Sequence, residues 1–243
     1  MKLTDLQPSK HLKLLAYGDS GTGKTCFLGG WPGRIYIADQ DGKIGSLARH
    51  LERNNKAKLE EIDYDNFAQN RASANYYNIF YTKLVEHEKL AAEGKFPYGT
   101  WALDSLTTFS ESLMSEILRQ NTAIKSVPGV PAQAHYGIFA AKFRETIMRI
   151  LALPCNVVVN AHIEQTKDES TGEILRQPMV AGKNAKWLPI VFSEVYRTYA
   201  ETKDGKTIYM AQTKTDAKFN CRSEIPGLPF AVELKYENLV KAW

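Results

Sequence analysis

The stretch "YGDSGTGKTCFLGGW", residues 17–31, decides how the rest of the chain is read. It closes an apolar run, "LKLLA", residues 12–16, and opens into a segment of helical character from Lys24. Between strand and helix the chain must turn tightly, and the glycines at 18, 21 and 23 leave the backbone N–H groups of the turn uncovered. Such groups at a helix start, with an ammonium beside them, form a concave positive surface whose matching anion is a phosphate chain.

Gly18, Asp19, Ser20, Gly21, Thr22, Gly23, Lys24 and Thr25 fit Gly-x-x-x-x-Gly-Lys-Ser/Thr at every position, in the strand-to-helix context that the P-loop pattern requires. Cys26 completes the expected nucleotide-binding set. Lys24 is expected to reach the β and γ phosphates and Thr25 to ligate Mg²⁺, so ATP and Mg²⁺ are the expected ligands. A chance glycine-rich turn is the competing reading.

Outward from this loop the rhythm is α/β. "RIYIAD" reads as a second strand, "TWALDS" as a third and "CNVVVNAH" as a fourth, with "LTTFSESLMSEILRQN" and "HYGIFAAKFRETIMRILAL" as helices between them. Residues 44–93 read as mostly polar and helical, with Tyr77, Phe80, Tyr81, Leu84 and Val85 as a core-facing stripe. "TAIKSVPGVPAQA" reads as a loop, and "IEQTKDESTGEILRQPMVAGKNA" as a second long loop or flexible hairpin. A hairpin turning at Asp204 and Gly205 follows. The expected fold is a mostly parallel central sheet flanked by helices, with a C-terminal β-hairpin. One domain is expected over 1–243, with a core of about 11–221, a short arm at 1–10 and a tail at 222–243.

Composition narrows the class. The 243 residues are 44% hydrophobic, enough for one large core, and the net charge of +4 permits an anionic partner without requiring one. Cys26, Cys155 and Cys221 have no paired spacing, which argues against a disulfide framework or zinc site and for a reducing cytosol. No apolar run approaches a membrane span, so a cytoplasmic protein is expected.

A P-loop needs a carboxylate on a neighbouring strand to hold the metal through water, and Asp104 has that setting, with Ser105 beside it; an ordinary strand-end acid is the alternative. Asp39 and Asp41 follow the second strand, and Asp41 is preferred as the group that orients the attacking water, although "DQDG" also reads as a plain turn. His162 could sense the γ-phosphate or be a satisfied near-core histidine. Read instead as D-x-x-G, "DQDG" together with "TKTD" at 213–216 suggests a GTPase, but Thr25 and Asp39 leave no room for a switch segment and Asp104 no role. A small-molecule kinase is weakened by a loop whose cations are only Lys167 and Arg176.

The order of parts, with "GDSGTGKT", "LDSLT", "NAH" and "GKNAKW", resembles the RecA core over about 12–221, and more closely the small phage-encoded RecA-like ATPases associated with single-strand annealing and homologous recombination. The resemblance implies that the loops at 121–134 and 164–183 contact single-stranded DNA. Lys125, Lys167, Arg176, Lys183 and Lys186 would meet phosphates, and His135 and Tyr136 would stack on bases; a pair of solvated loops is the alternative. It further implies a ring or filament of identical subunits in which Lys214 and Lys218 complete a neighbour's ATP site in trans, with a single-strand DNA-binding protein as a further partner and the host-cell cytoplasm as the location. Asp41 stands where RecA-type enzymes carry Glu, and only some ten residues precede the first strand. An annealing protein with slow ATP hydrolysis fits these departures better than a strand-exchange enzyme. A nucleotide-switched loader or packaging accessory that holds a protein is the other reading.

Overall fold

The computed structural model describes residues 10–127, 129–167, 172 and 174–241. Most of the expected N-terminal arm therefore lies outside the described residues. The strands and helices are β1 (Lys13–Gly18), α1 (Lys24–Phe27), β2 (Ile35–Asp39), α2 (Gly45–Asn54), β3 (Ile62–Asn66), α3 (Tyr76–Ala92), β4 (Thr100–Asp104), α4 (Leu106–Gln120), α5 (Gln133–Leu151), β5 (Asn156–Ala161), β6 (Ile163–Lys167), β7 (Ile174–Pro178), α6 (Asn184–Val191), β8 (Glu194–Lys203), β9 (Lys206–Gln212), β10 (Ala231–Glu233) and α7 (Tyr236–Val240).

Eight strands form one sheet in the order β10-β9-β8-β1-β5-β4-β2-β3. From β8 to β3 every pairing is parallel, and β9 and β10 add antiparallel strands at the other edge. Strand side chains alternate between faces, and the core divides accordingly. Leu15, Tyr17, Trp101, Leu103, Val157 and Val159 face α3, α4, α5 and α6 with Phe80, Phe109 and Phe143. Leu14, Ala16, Ile35, Ile37, Ala102 and Val158 face the other way onto Phe27, Leu47, Leu51 and Leu239. Strands covered on both faces have to be apolar throughout, which is why "LKLLA" and "NVVVNA" lack polar alternation.

The β8–β9 turn is a two-residue connection with Asp204 at φ 50° and Gly205 at φ 71°, the left-handed pair that matches strand twist. One expectation needs correction: the segment 44–93 contains β3, an edge strand paired only with β2, whose mostly half-buried residues made "IDYDN" look like part of a polar helical stretch. Of the two readings of the polar segment that follows β5, loop or hairpin, the structure has the hairpin, β6–β7, followed by α6. The tail at 222–243 carries β10 and α7, with Leu234 and Leu239 in the core. Among the described residues no helix is long and apolar enough to cross a membrane.

Candidate functional site

Parallel pairing brings the C-terminal ends of β1, β2, β4 and β5 to one edge, the place where open α/β sheets collect ligands. Asp39 is in register with Asp104, and Asp104 with Asn160. The turn after β1 hugs the sheet so closely that a Cβ on Gly18 would meet the Thr198 carbonyl oxygen at 2.3 Å, while one on Gly23, at φ 85°, would meet the Tyr209 ring at 2.7 Å. The Thr22 hydroxyl bonds the Asp19 carbonyl at 2.8 Å and Thr198 Oγ1 at 2.7 Å, which pins the loop to β8. Lys24, 7% exposed, points its ammonium at the Gly18 and Asp19 carbonyls, at 2.9 and 2.7 Å. Burial lowers its pKa to about 8, against the attraction of Asp104, Asp19 and Asp41.

The acids divide the work. Asp39 accepts from the backbone N–H groups of Gly42, Lys43 and Ile44 at 2.8–3.3 Å and so holds its own turn together. Asp41 instead faces the cavity, where Ser105 Oγ donates to it at 3.0 Å, Thr108 Oγ1 at 2.5 Å, and His162 Nε2 lies 3.7 Å away. Burial pushes the Asp41 carboxyl up, but the hydrogen bonds from His162, Thr108 and Ser105 outweigh it and hold the group well below the usual carboxylate range. Asp104 is buried, which raises its pKa, while the Thr25 hydroxyl at 2.7 Å and the Asn160 amide at 3.1 Å favour its ionised form. The Thr25 hydroxyl and the Asp104 carboxylate are hard oxygen donors on one spot, a set that suits a small divalent cation retaining most of its waters. A cavity of about 570 Å³ opens here, lined by Ser20 through Cys26, Asp41, Asp104, Ser105 and His162. That size is ordinary for a small-molecule site.

The model of an AAA domain family, AAA_24, matches residues 10–223. The chain belongs to that family. It is a P-loop ATPase domain, and ATP binding at the loop described above follows from it. No curated protein matches the chain. Among solved structures, an ATPase of the type III secretion system of pathogenic bacteria aligns with a TM-score of 0.51 at 14% identity, over 77% of this chain and 51% of that one. That likeness speaks for the fold, and the AAA domain spans about half of that ATPase. Flagellar accessory protein FlaH from Methanocaldococcus jannaschii aligns with a TM-score of 0.40 at 12% identity, over 86% of this chain and 80% of that one. A KaiC-like protein from Pyrococcus horikoshii aligns with a TM-score of 0.42 at 11% identity over the same shares.

The residues expected to meet DNA separate into groups. Tyr136, 41% exposed, lies against Gly182, where a Cβ would come 3.3 Å from its ring, and Lys183 follows directly. With Gln133 and Arg144 they line a groove of about 580 Å³ between the start of α5 and the start of α6. Arg176, Lys186 and Lys218 line a different hollow of about 340 Å³, in which Arg176 lies over the Phe219 ring at 5.4 Å. Lys125, Lys167 and Lys214 are exposed. Neither Lys214 nor Lys218 lines the nucleotide cavity of its own chain. His135 is a correction: at 1% exposure its ring cannot stack on a base, because its Nδ1 accepts the Ala132 backbone N–H at 2.9 Å and caps α5. Asp216 of "TKTD" likewise serves its own loop, accepting from the Lys218 and Phe219 N–H groups at 2.7 and 2.8 Å.

Several site residues went unread. Asn160 could have been found by aligning strand ends, since it stands level with Asp104. Thr108, one helical turn beyond Ser105, was within reach of the same argument. Lys43 and Arg49 on the α2 wall, Arg144 in the groove, and Tyr209 on the P-loop depend on tertiary packing that no local pattern announces.

Proposed function

We propose that this AAA domain is an ATP-driven single-stranded DNA-binding protein that promotes strand annealing or recombination as an oligomer, with hydrolysis resetting the assembly. The carrying observation is that the first turns of α5 and the end of the second loop meet in one groove, and that this groove is tied to the γ-phosphate end of the nucleotide cavity. His162, beside Asp41, donates its backbone N–H to Thr107 Oγ1 at 2.9 Å and its carbonyl accepts from the Met179 N–H at 2.8 Å. Thr107 Oγ1 in turn donates to the Met179 carbonyl at 2.8 Å, and Gly182 and Lys183 lie three and four residues further on.

In this reading the backbone of residues 18–23 and Lys24 hold the phosphate chain, and Asp41 accepts a hydrogen bond from the attacking water and aligns it. The water oxygen bonds the γ-phosphorus as the bond to the β-phosphate oxygen breaks, and ADP and phosphate leave. Mg²⁺, held by Thr25 and through water by Asp104, supplies positive charge to the phosphate oxygens. His162 responds to the loss of the γ-phosphate and shifts the Met179–Lys183 segment that leads into the groove. There Tyr136 offers a stacking face, and Lys183 and Arg144 meet phosphates. Lys214 and Lys218, free of the cavity in their own chain, reach the γ-phosphate bound by a neighbour.

Mg²⁺-dependent ATP hydrolysis, measured with and without single-stranded DNA and with Lys24→Ala as the blank, tests the reading. Stimulation by DNA in the wild type alone is the expected result. Hydrolysis indifferent to DNA, with no DNA bound in a non-hydrolysable ATP analogue, contradicts it. The exposed Val127 and Val130 in the segment before α5, at 67% and 52%, favour a second reading in which this end of the molecule holds a protein under nucleotide control. That version gives nucleotide-dependent partner capture without salt-sensitive DNA binding.

A further inference from the structure

A second cavity, of about 260 Å³, continues from the nucleotide cavity and shares Gly23, Cys26 and Tyr209 with it. Its other walls include His50 on α2 and Lys235 and Tyr236 at the start of α7. Asp41, Asp104 and His162 line the first cavity and not the second. A triphosphate whose terminal phosphate faces those three groups runs back along the P-loop toward Cys26, and its nucleoside end leaves the first cavity where the second begins. The alternative exit, along Lys43, Ser46 and Arg49, is polar and cationic. The continuation past Cys26 carries two tyrosines, the surface a nucleobase prefers.

We infer that the base and ribose of the bound nucleotide lodge in this cleft between Tyr209 and Tyr236, so that the C-terminal segment completes the nucleotide site. β10 and α7 fall beyond residue 223, where the family match ends. They are nonetheless a fixed wall. Glu233 pairs with Met210, the Leu234 N–H donates to the Tyr209 carbonyl at 2.8 Å, and Leu234 and Leu239 are buried in the core. The Tyr236 ring packs on Trp31 at 4.9 Å between centroids and is half-buried, its remaining surface facing the cleft. Tyr209 is fixed from the other side by its contact with Gly23. Its position comes from the β8–β9 hairpin, which runs past the end of β1 at Gly18 and overhangs the P-loop.

The inference rests on the P-loop holding a nucleoside triphosphate, and inorganic tripolyphosphate separates the two claims because it fills the P-loop and has no nucleoside. Calorimetric titrations of ATP and of tripolyphosphate, each with Mg²⁺, are made on the wild type, Tyr236→Ala, Tyr236→Phe and Tyr209→Ala. Tyr236→Ala is expected to weaken ATP binding by roughly 5- to 150-fold while tripolyphosphate affinity stays within twofold, and Tyr209→Ala, whose ring touches Gly23, is expected to weaken ATP binding several-fold more than tripolyphosphate binding. Tyr236→Phe, which keeps the ring, is expected to bind ATP like the wild type. If Tyr236→Ala fails to fold, Tyr209→Ala carries the same test, since its ring packs on the P-loop outside the core. Unchanged ATP affinity in the alanine variants, or equal loss for both ligands, overturns the inference. Failure of the wild type to bind either ligand overturns the phosphate reading itself, and this one with it.

Discussion

The P-loop end of the sheet and the groove between α5 and α6 are built to different standards. At the P-loop the protein supplies partners for its own charges: Lys24 has two carbonyls, Asp41 has Ser105, Thr108 and His162, and Asp104 has Thr25 and Asn160. At the groove the polar anchors run through Asn184, whose Oδ1 accepts from Arg144 Nε at 3.0 Å and whose amide donates to the Ala181 carbonyl at 3.2 Å, and Tyr136 and Lys183 are exposed. A site that orients water within a fraction of an ångström needs fixed groups, because misplacement lowers the rate steeply. A surface that takes and releases a strand of any sequence needs accessible charge and a stacking face instead. The line from His162 through Thr107 to Met179 joins the rigid region to the adaptable one.

Breaking the rigid side has the largest effect. Asp41→Asn keeps the shape of the group and removes the carboxylate charge that aligns the water, so hydrolysis is expected to fall about 100- to 10,000-fold while ATP affinity changes only a few-fold. Phosphate release and calorimetry on the same sample read both numbers, and an unchanged rate removes Asp41 from the chemistry. Next comes the core under α5. Phe143, fully buried on α5 and stacked on Phe139 at 5.2 Å, is expected to cost about 3–5 kcal/mol when replaced by Ala, read by urea unfolding. A loss below about 1 kcal/mol would mean that α5 is not held to the sheet by this aromatic cluster.

The smallest effect concerns protonation. With the Lys24 pKa lowered to about 8 in the free protein against 10.5 unfolded, the unfolded chain binds more protons between those values, and stability from this group rises with pH across that window. Nucleotide binding runs the other way, since phosphate restores the charged ammonium. ATP binding at pH 9 is expected to take up close to one proton and to weaken as pH rises, visible as a dependence of the calorimetric enthalpy on buffer. Equal proton uptake in Lys24→Arg would assign the effect elsewhere.

The same contrast explains what the sequence made legible. The P-loop is a local device, so residue spacing alone carried Gly18–Thr25, and strand ends carried Asp104 and Asp41. The set proposed to meet DNA required knowing which residues come together in space, and there the separation of Lys183 from Lys186 and the burial of His135 were invisible. His135 sits next to Tyr136 in sequence, yet the helical turn sends one ring inward to cap α5 and the other to solvent. β3 was hidden because an edge strand buries little, and its acids therefore looked like part of a polar helical segment. Tyr209 and Tyr236 come together only through the overhang of β8–β9 and the pairing of β10.

The coupling of the two regions is tested most directly by single-stranded DNA affinity, read by fluorescence anisotropy across a series of salt concentrations, with no nucleotide, with ADP and with a non-hydrolysable ATP analogue. The account predicts tightest binding with the analogue, and a steeper salt dependence there because Lys183 and Arg144 are engaged. Equal affinity and equal salt dependence in all three states would contradict it.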